Sequence, residues 1–425
     1  MLDPLQARAL WLSAGEADAL VIAADLCVVT ESLHEQIAAA LQEKTGLPRE
    51  ALVLAASHTH SGPATFPLIG WGQPNTDYLN ALARRLVDVG VAAHAARAPA
   101  RIAFGHVRIE GVGINREHPR FGPTDPAAQL LRVDRDDGTP LAVAYNYAAH
   151  PVTRYPFTHR ISADWPGLVN QSLRLAFDGA MPLFLQGCAG NINGHDVLFG
   201  RNHPHRLHAA CDAHCGEVAR RVLDRIVPAL RAIDTADGEP PTIKARARNL
   251  ELPCASIDSA LHRRAIEQHS PEADRMTYAD LRPLHERLTD ETEQERRWRW
   301  ARWEVDVARR QLQLDKAGVD HLDARVGVLH LGHTALVTWP AEAFVELGIE
   351  LRERSEARMT LPIGYANDFI GYLPTPWAYE SQGRPHQFGV YPTARTPLVL
   401  GAAPFDPQAP RLVVEQTLAM LRSDG

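Results

Sequence analysis

The chain has 425 residues, 45% hydrophobic and 22% charged, a globular composition with enough length for two or three lobes and an unstapled core. A net charge of −7 excludes a whole-molecule attraction for nucleic acid or anionic lipid, and no apolar run approaches the ~20 residues of a membrane-spanning helix. Five cysteines (Cys27, Cys188, Cys211, Cys215 and Cys254) are too few for a disulfide framework, and the opening MLDPLQARALWLS is not a secretion signal, so a cytoplasmic protein is expected.

The first 240 residues alternate between strand-like and helix-like segments. Residues 19–27 read as a buried strand. Residues 31–42 read as a helix with Leu33, Ile37 and Leu41 on one face, stopped by Gly46 and Pro48. The run ALVLAA (51–56) is a second buried strand, and 76–96 a second helix. Residues 130–133 and 141–147 flank an Asp-Gly turn and form a hairpin. A helix over 164–175 starts with Asp164 as its N-cap. Residues 182–185 form a strand and 214–230 a helix, after which 234–241 is a linker. Residues 256–316 are charged, Arg-rich and helix-patterned, whereas 326–331 and 334–339 return to strands before a helix over 341–354. The pattern predicts an α/β fold: a mixed sheet body with flanking helices, built from residues 1–240 and 321–425 and interrupted by a helical insertion or lid over 241–320. Within the insertion, RRWRWARW (296–303) reads as a helix packing Trp300 and Trp303 on the body. Its many acidic neighbours argue against a nucleic-acid platform.

Polar clusters follow directly on short apolar strands: Ser57–Gly62 after 51–56, Ala148–Pro151 after 141–147, Gln186–His195 after 182–185, and Pro340–Glu342 after 334–339. Loops beyond strand C-termini line the crevice of an α/β body, so these are expected to converge. His58 and His60, two apart in extended chain, face one side, and the pair supplies either one metal ligand or two. With His150 and Glu342 they make a donor set suited to Zn²⁺, which acidifies bound water. Each has a plainer reading: solvated loop histidines, a satisfied core histidine, and an acid in the first turn of a helix. In the glycine-rich stretch, Asn191 and Asn193 offer amide donors, and Cys188 is either a nucleophile or a small buried residue. His208, Cys211 and Cys215, with His205 and His214 nearby, are a rival metal cluster without paired Cys-x-x-Cys knuckles.

These residues resemble the catalytic domain of the neutral (non-lysosomal) ceramidase family. The matching pieces are ASHTHSGPA (56–64), GINR (113–116), NYAAHPVT (146–153), ISADWPG (161–167), GNING (190–194), WPAEAFVELG (339–348) and YANDFIGYLPT (365–375), in the family's order. The resemblance implies a zinc-dependent amidase in which His58, His150, Glu342 and Tyr372 hold Zn²⁺, while His60 and Arg116 contact the scissile group. It implies a substrate-contacting tyrosine with two matches, Tyr379 and Tyr391; the amide donor of Asn191 is expected, from its own chemistry, to be a further substrate contact. Asn193 stands where the family has a serine, so attack by a serine oxygen is not available and water activated at the metal is expected instead. The family's C-terminal immunoglobulin-like domain and an initial strand are expected to be missing. The reading is thus a hydrolase of N-acyl amides acting on a small molecule, a lipid among the candidates. Its partners include no nucleic acid and no bilayer-spanning association. The alternatives are a zinc esterase and a non-catalytic metal- or ligand-binding protein on a hydrolase scaffold.

Overall fold

The structure is a computed structural model that describes the chain except residues 71–72, 155–159, 195–206, 237–241, 278–279, 281–290, 381–390 and 423–425. Three main sheets are built on one plan: antiparallel strands followed by a parallel pair. In the first, β1 (Ala7–Ala14) pairs antiparallel with β2 (Ala17–Ala24), which lies parallel to β3 (Leu52–Ala56). In the second, β4 (Ala100–Arg108), β6 (Ala127–Arg135) and β7 (Pro140–Tyr147) are antiparallel, and β7 is parallel to β8 (Met181–Gln186). In the third, β10 (Ile243–Pro253), β11 (His321–Leu331) and β12 (Thr334–Thr338) are antiparallel, and β12 is parallel to β14 (Met359–Ile363). Two small pairs complete the set: β5 (Gly113–Asn115) with β9 (Ile192–Gly194), and β13 (Glu342–Ala343) with β15 (Tyr372–Leu373). This is the mixed α/β body expected from the sequence.

The core follows from strand periodicity. In β6–β8, Leu131, Val133, Ala144, Leu183 and Leu185 face a central apolar layer, while Leu130, Val143, Tyr145 and Phe184 face the opposite side. The central layer also takes Leu329, Leu336 and Ile363 from the third sheet and is roofed by helices α1 (Glu31–Thr45) and α2 (Thr76–Ala95). Helices α3 (Asp164–Ala176) and α4 (Leu207–Ala232) cover the second sheet, with Trp165, Leu173, Val222 and Ile226 buried between. The third sheet's outer face, with Val326, Val328 and Val337, packs on α7 (Val345–Arg354) and α10 (Ala409–Arg422). Parallel strands covered on both faces need apolar side chains at successive positions, which is why ALVLAA reads as an uninterrupted run.

The segment 241–320 contributes β10 to the third sheet before it becomes helical as α5 (Ser259–Ala273) and α6 (Glu293–Lys316). A capping box formed by Thr292 and Glu295 starts α6. Trp298, not Trp300, is its fully buried tryptophan, its indole N–H donating to the carbonyls of Ala273 and Met276 at 3.0 and 2.9 Å. Trp303 packs on Gly70, and Trp300 is 53% exposed, one step out of the buried stripe. Helices α8 (Pro376–Glu380) and α9 (Thr396–Leu400) lie near the chain end, and Arg310 and Gln311 of α6 bond to the carbonyls of Gly401 and Ala402 beyond them. Among the described residues no helix is long and apolar enough to cross a membrane.

Candidate metal centre

The parallel pairs of all three sheets end at the same place. Backbone bonds stitch those ends together: Ala56 N–H to the Tyr365 carbonyl, Gly187 N–H to Tyr147, and Gly364 N–H to Gln186, at 3.0–3.1 Å. The convergence expected of the strand-end loops is therefore what the structure contains.

His58 follows β3 in the left-handed region, with φ 66°. Its Nδ1–H donates to the Cys27 carbonyl at 2.7 Å, which leaves Nε2 facing inward, 3.3 Å from Glu342 Oε2. His150 follows β7 and repeats the arrangement: Nδ1–H donates to the Ala189 carbonyl at 2.6 Å, and Nε2 is 3.1 Å from the same Glu342 oxygen. The loop carrying His150 is clamped by the buried Asp164 carboxylate, which accepts from Thr153 Oγ1 at 2.6 Å and Arg154 N–H at 3.0 Å. Asp164 itself has φ 59°. It is not the N-cap that was expected: Ala163 holds that position and makes no side-chain cap bond, while Asp164 is the first helical residue, and its carboxylate accepts from Trp165 N–H and reaches back to the loop.

Glu342 was expected at a strand-to-helix junction, with a first helical turn as the plainer reading. It instead lies in β13, paired in register with Tyr372 of β15, and α7 begins three residues later. The pairing lets Gly190 come against β13, its N–H bonded to the Ala343 carbonyl at 2.8 Å. A Cβ there would stand 2.4 Å from the Glu342 carbonyl oxygen. Tyr365 OH is 3.5 Å from Glu342 Oε2, and its ring stacks on His58 at 4.1 Å between centroids. Sequence reasoning did not single out Tyr365 as a site residue, although only Gly364 separates it from the apolar run of β14.

His60 Nε2 is 3.0 Å from His58 Nε2. Arg116, from the loop after β5, donates to the Gly190 carbonyl and to Tyr372 OH, the latter at 3.1 Å. Asn193 lies on β9 opposite Ile114, bridged to His150, and its buried Oδ1 has no hydrogen-bond partner among the described residues. Asn191 is engaged within the protein: Oδ1 accepts from Val345 N–H at the start of α7, and Nδ2 donates to Glu346, both at 2.9 Å. Of the two candidate tyrosines, Tyr391 stands beside Tyr372, ring centroids 6.0 Å apart. Tyr379 has Asp406 and Cys254 as its electrostatic neighbours. Phe369 lies 6.5 Å from His58 between ring centroids, and Phe66 packs on Phe369 at 5.3 Å.

The electrostatics follow from burial around one carboxylate. Burial, Arg116 and His58 depress His150 to about 3 despite its bond to Glu342. Burial together with His58 and His150 holds His60 well below its ordinary value, so its imidazole is neutral. Burial works against a charged His58, but Glu342 and Cys27 outweigh it and lift the group to about 10. Burial would raise Glu342, yet His58 and His150 keep it well below the usual carboxylate range. Burial and Glu342 keep the Tyr372 phenol protonated against the pull of Arg116.

His58, His150 and Glu342 are all buried, and one donor atom of each lies within 4.8 Å of the others. His150 is a neutral imidazole and His58 becomes one when a metal displaces its Nε2 proton; two imidazoles oriented by carbonyls at Nδ1, plus a carboxylate, are a donor set that fits zinc. Among the described residues the other such group is Cys27, His58 and His60. Cys211 is partly exposed and Cys215 fully buried on α4; His205 and the side chain of His208 fall outside the described residues. Cys188 is a core residue against Gly348, its thiol pushed up to about 12 by burial, which removes it as a nucleophile.

No family model matches the chain. Among solved structures, a ceramidase in complex with C2 superposes with a TM-score of 0.66 at 17% identity, over 98% of this chain and 69% of that one. The neutral ceramidase from Pseudomonas aeruginosa gives 0.66 at 18% identity, over 97% and 68%. The chain therefore has a neutral-ceramidase-like fold along nearly its whole length.

Proposed function

We propose that this protein is a zinc-dependent hydrolase that cleaves an N-acyl amide bond in a small-molecule substrate in the cytoplasm. The observation that carries the reading is the buried convergence of His58, His150 and Glu342 at the joined strand ends. The likeness in fold to ceramidases supports an amide as the bond cut. His58, His150 and Glu342 would hold the ion, with Tyr372 beside them. When bound, zinc would polarise the scissile carbonyl and bring the pKa of a water molecule to about 7.

The chain's own groups supply the rest. His60, kept neutral by burial and by its histidine neighbours, takes the proton of the attacking water and gives it to the departing amine. Arg116, held by the Gly190 carbonyl and Tyr372, presents fixed positive charge to the carbonyl oxygen as negative charge builds there. Asn193 has no ionisable proton to become a nucleophile, which leaves water as the attacking group; its unpartnered Oδ1 is an acceptor for the substrate N–H. Tyr391, Phe369 and Phe66 offer apolar surface to the acyl group.

The test is metal analysis of the purified protein together with a screen of matched N-acyl amides and esters. His58→Ala and Glu342→Ala lose bound metal and turnover together. His60→Gln keeps the metal and loses about 10²–10⁴ in rate, more on amides than on esters, because an amine leaves only with a proton. Full metal content and turnover in both ligand variants would end the assignment. A metal-loaded protein inert toward every amide and ester would instead favour a binding protein, the reading to which the loss of serine at Asn193 points.

A further inference from the structure

The second group of donors is separate in chemistry from the first. Strands β2 and β3 are parallel and in register, with Ala24 opposite Ala56. Continuing each strand by a few residues brings Cys27 alongside His58 and His60. Cys27 Sγ is 3.9 Å from His58 Nδ1, and one donor atom from each of the three residues lies within 4.8 Å of the others. Zinc–sulfur and zinc–nitrogen bond lengths place tetrahedral donors about 3.5 Å apart, so about an ångström of side-chain closure completes the set. Cys27 and His60 are only partly buried, whereas His150 and Glu342 are buried, so this group is the one open to solvent.

We propose that Cys27, His58 and His60 form a second metal site selective for thiophilic divalent cations, sharing His58 with the His58–His150–Glu342 group. A thiolate with two imidazoles is a softer donor set than two imidazoles with a carboxylate, so the two sites rank metals differently. The Cys27 thiol proton and the His58 Nδ1 proton, now donated to the Cys27 carbonyl, leave to solvent as the sulfur–metal and nitrogen–metal bonds form. An ion on this side engages His60 and competes for His58. The site itself does not rest on the hydrolase reading; its consequence, inhibition by thiophilic metals, does.

The probe is Cd²⁺ added to the metal-free full-length protein, followed by the ultraviolet thiolate-to-cadmium charge-transfer band. Wild type develops a band that saturates at one equivalent. Cys27→Ser and Cys27→Ala lack that component, which separates it from any signal of the partly exposed Cys211 and Cys254. His60→Ala weakens the band's midpoint at least about tenfold. His150→Ala, which removes a ligand only from the buried group, keeps the band. No band in wild type, the same band in both Cys27 variants, or an unchanged midpoint in His60→Ala overturns the proposal. The two readings fail separately: turnover with no band removes this site alone, and a band with no turnover on any amide or ester removes the hydrolase alone.

Discussion

Asp25, at the end of β2, accepts the Gln6 N–H at 2.9 Å and lies 3.5 Å from Arg8, yet burial outweighs both and lifts its pKa from 3.8 to about 6. A carboxyl raised in the folded state costs stability once the unfolded chain ionises. Its contribution is most favourable below pH 3.8 and is lost as pH rises through about 6, a total on the order of 3 kcal/mol. Asp25→Asn removes that loss and keeps an acceptor for Gln6, so its urea midpoint gains on wild type between roughly pH 4 and 7. A difference that stays constant over that range rejects a buried neutral acid at this position. At the same scale, the histidines and Glu342 were legible because each stands just past a short apolar strand. Tyr365 and Cys27 stand past strands too, but an aromatic or a lone thiol beside apolar residues looks the same in sequence whether it packs or ligates.

At the scale of elements, the fold was most legible where periodicity ran longest: α1, α2, the β6–β7 hairpin and the buried β3 all follow from their patterns. β13 could not be read, because two residues carry no period and α7 follows almost at once. β1 and β4 passed unnoticed as well; β4 is a half-exposed edge strand whose Arg, Gly and His blur the alternation, while the Gly15–Glu16 turn was the one signal for β1. The brevity of β13 makes its support critical. Gly190→Ala sets a methyl against the Glu342 backbone oxygen, where neither side has a flexible end to yield. It should cost about 1–3 kcal/mol and lower metal affinity by shifting Glu342. Asn191→Ala removes the side-chain acceptor at the start of α7, costs about 1 kcal/mol, and disturbs the metal less. Denaturant midpoints and metal isotherms on both variants check the ordering. Equal loss of metal affinity in the two would show that β13 is not held in place by the close approach of Gly190.

Across the whole molecule, the candidate centre joins three sheets whose apolar layers are already complete without it. His58 comes from the first sheet, His150 from the second, and Glu342 from the β13–β15 pair beside the third. The layers bury Leu, Val, Ile and aromatic side chains on both faces of the second and third sheets, a core large enough to stand alone, unlike a zinc finger. An ion bound there therefore adds linkage stabilisation rather than the fold itself. At free zinc near 100 times the dissociation constant the gain is about 2.7 kcal/mol, which for a chain of this length raises the thermal midpoint by roughly 3 °C. Zinc should produce that rise in wild type, a chelator should reverse it with far-ultraviolet circular dichroism unchanged, and His58→Ala, which removes the ligand common to both donor groups, should show none. Unfolding on chelation would make the ion a structural staple, and an unmoved midpoint in wild type would mean that the joined strand ends do not bind zinc.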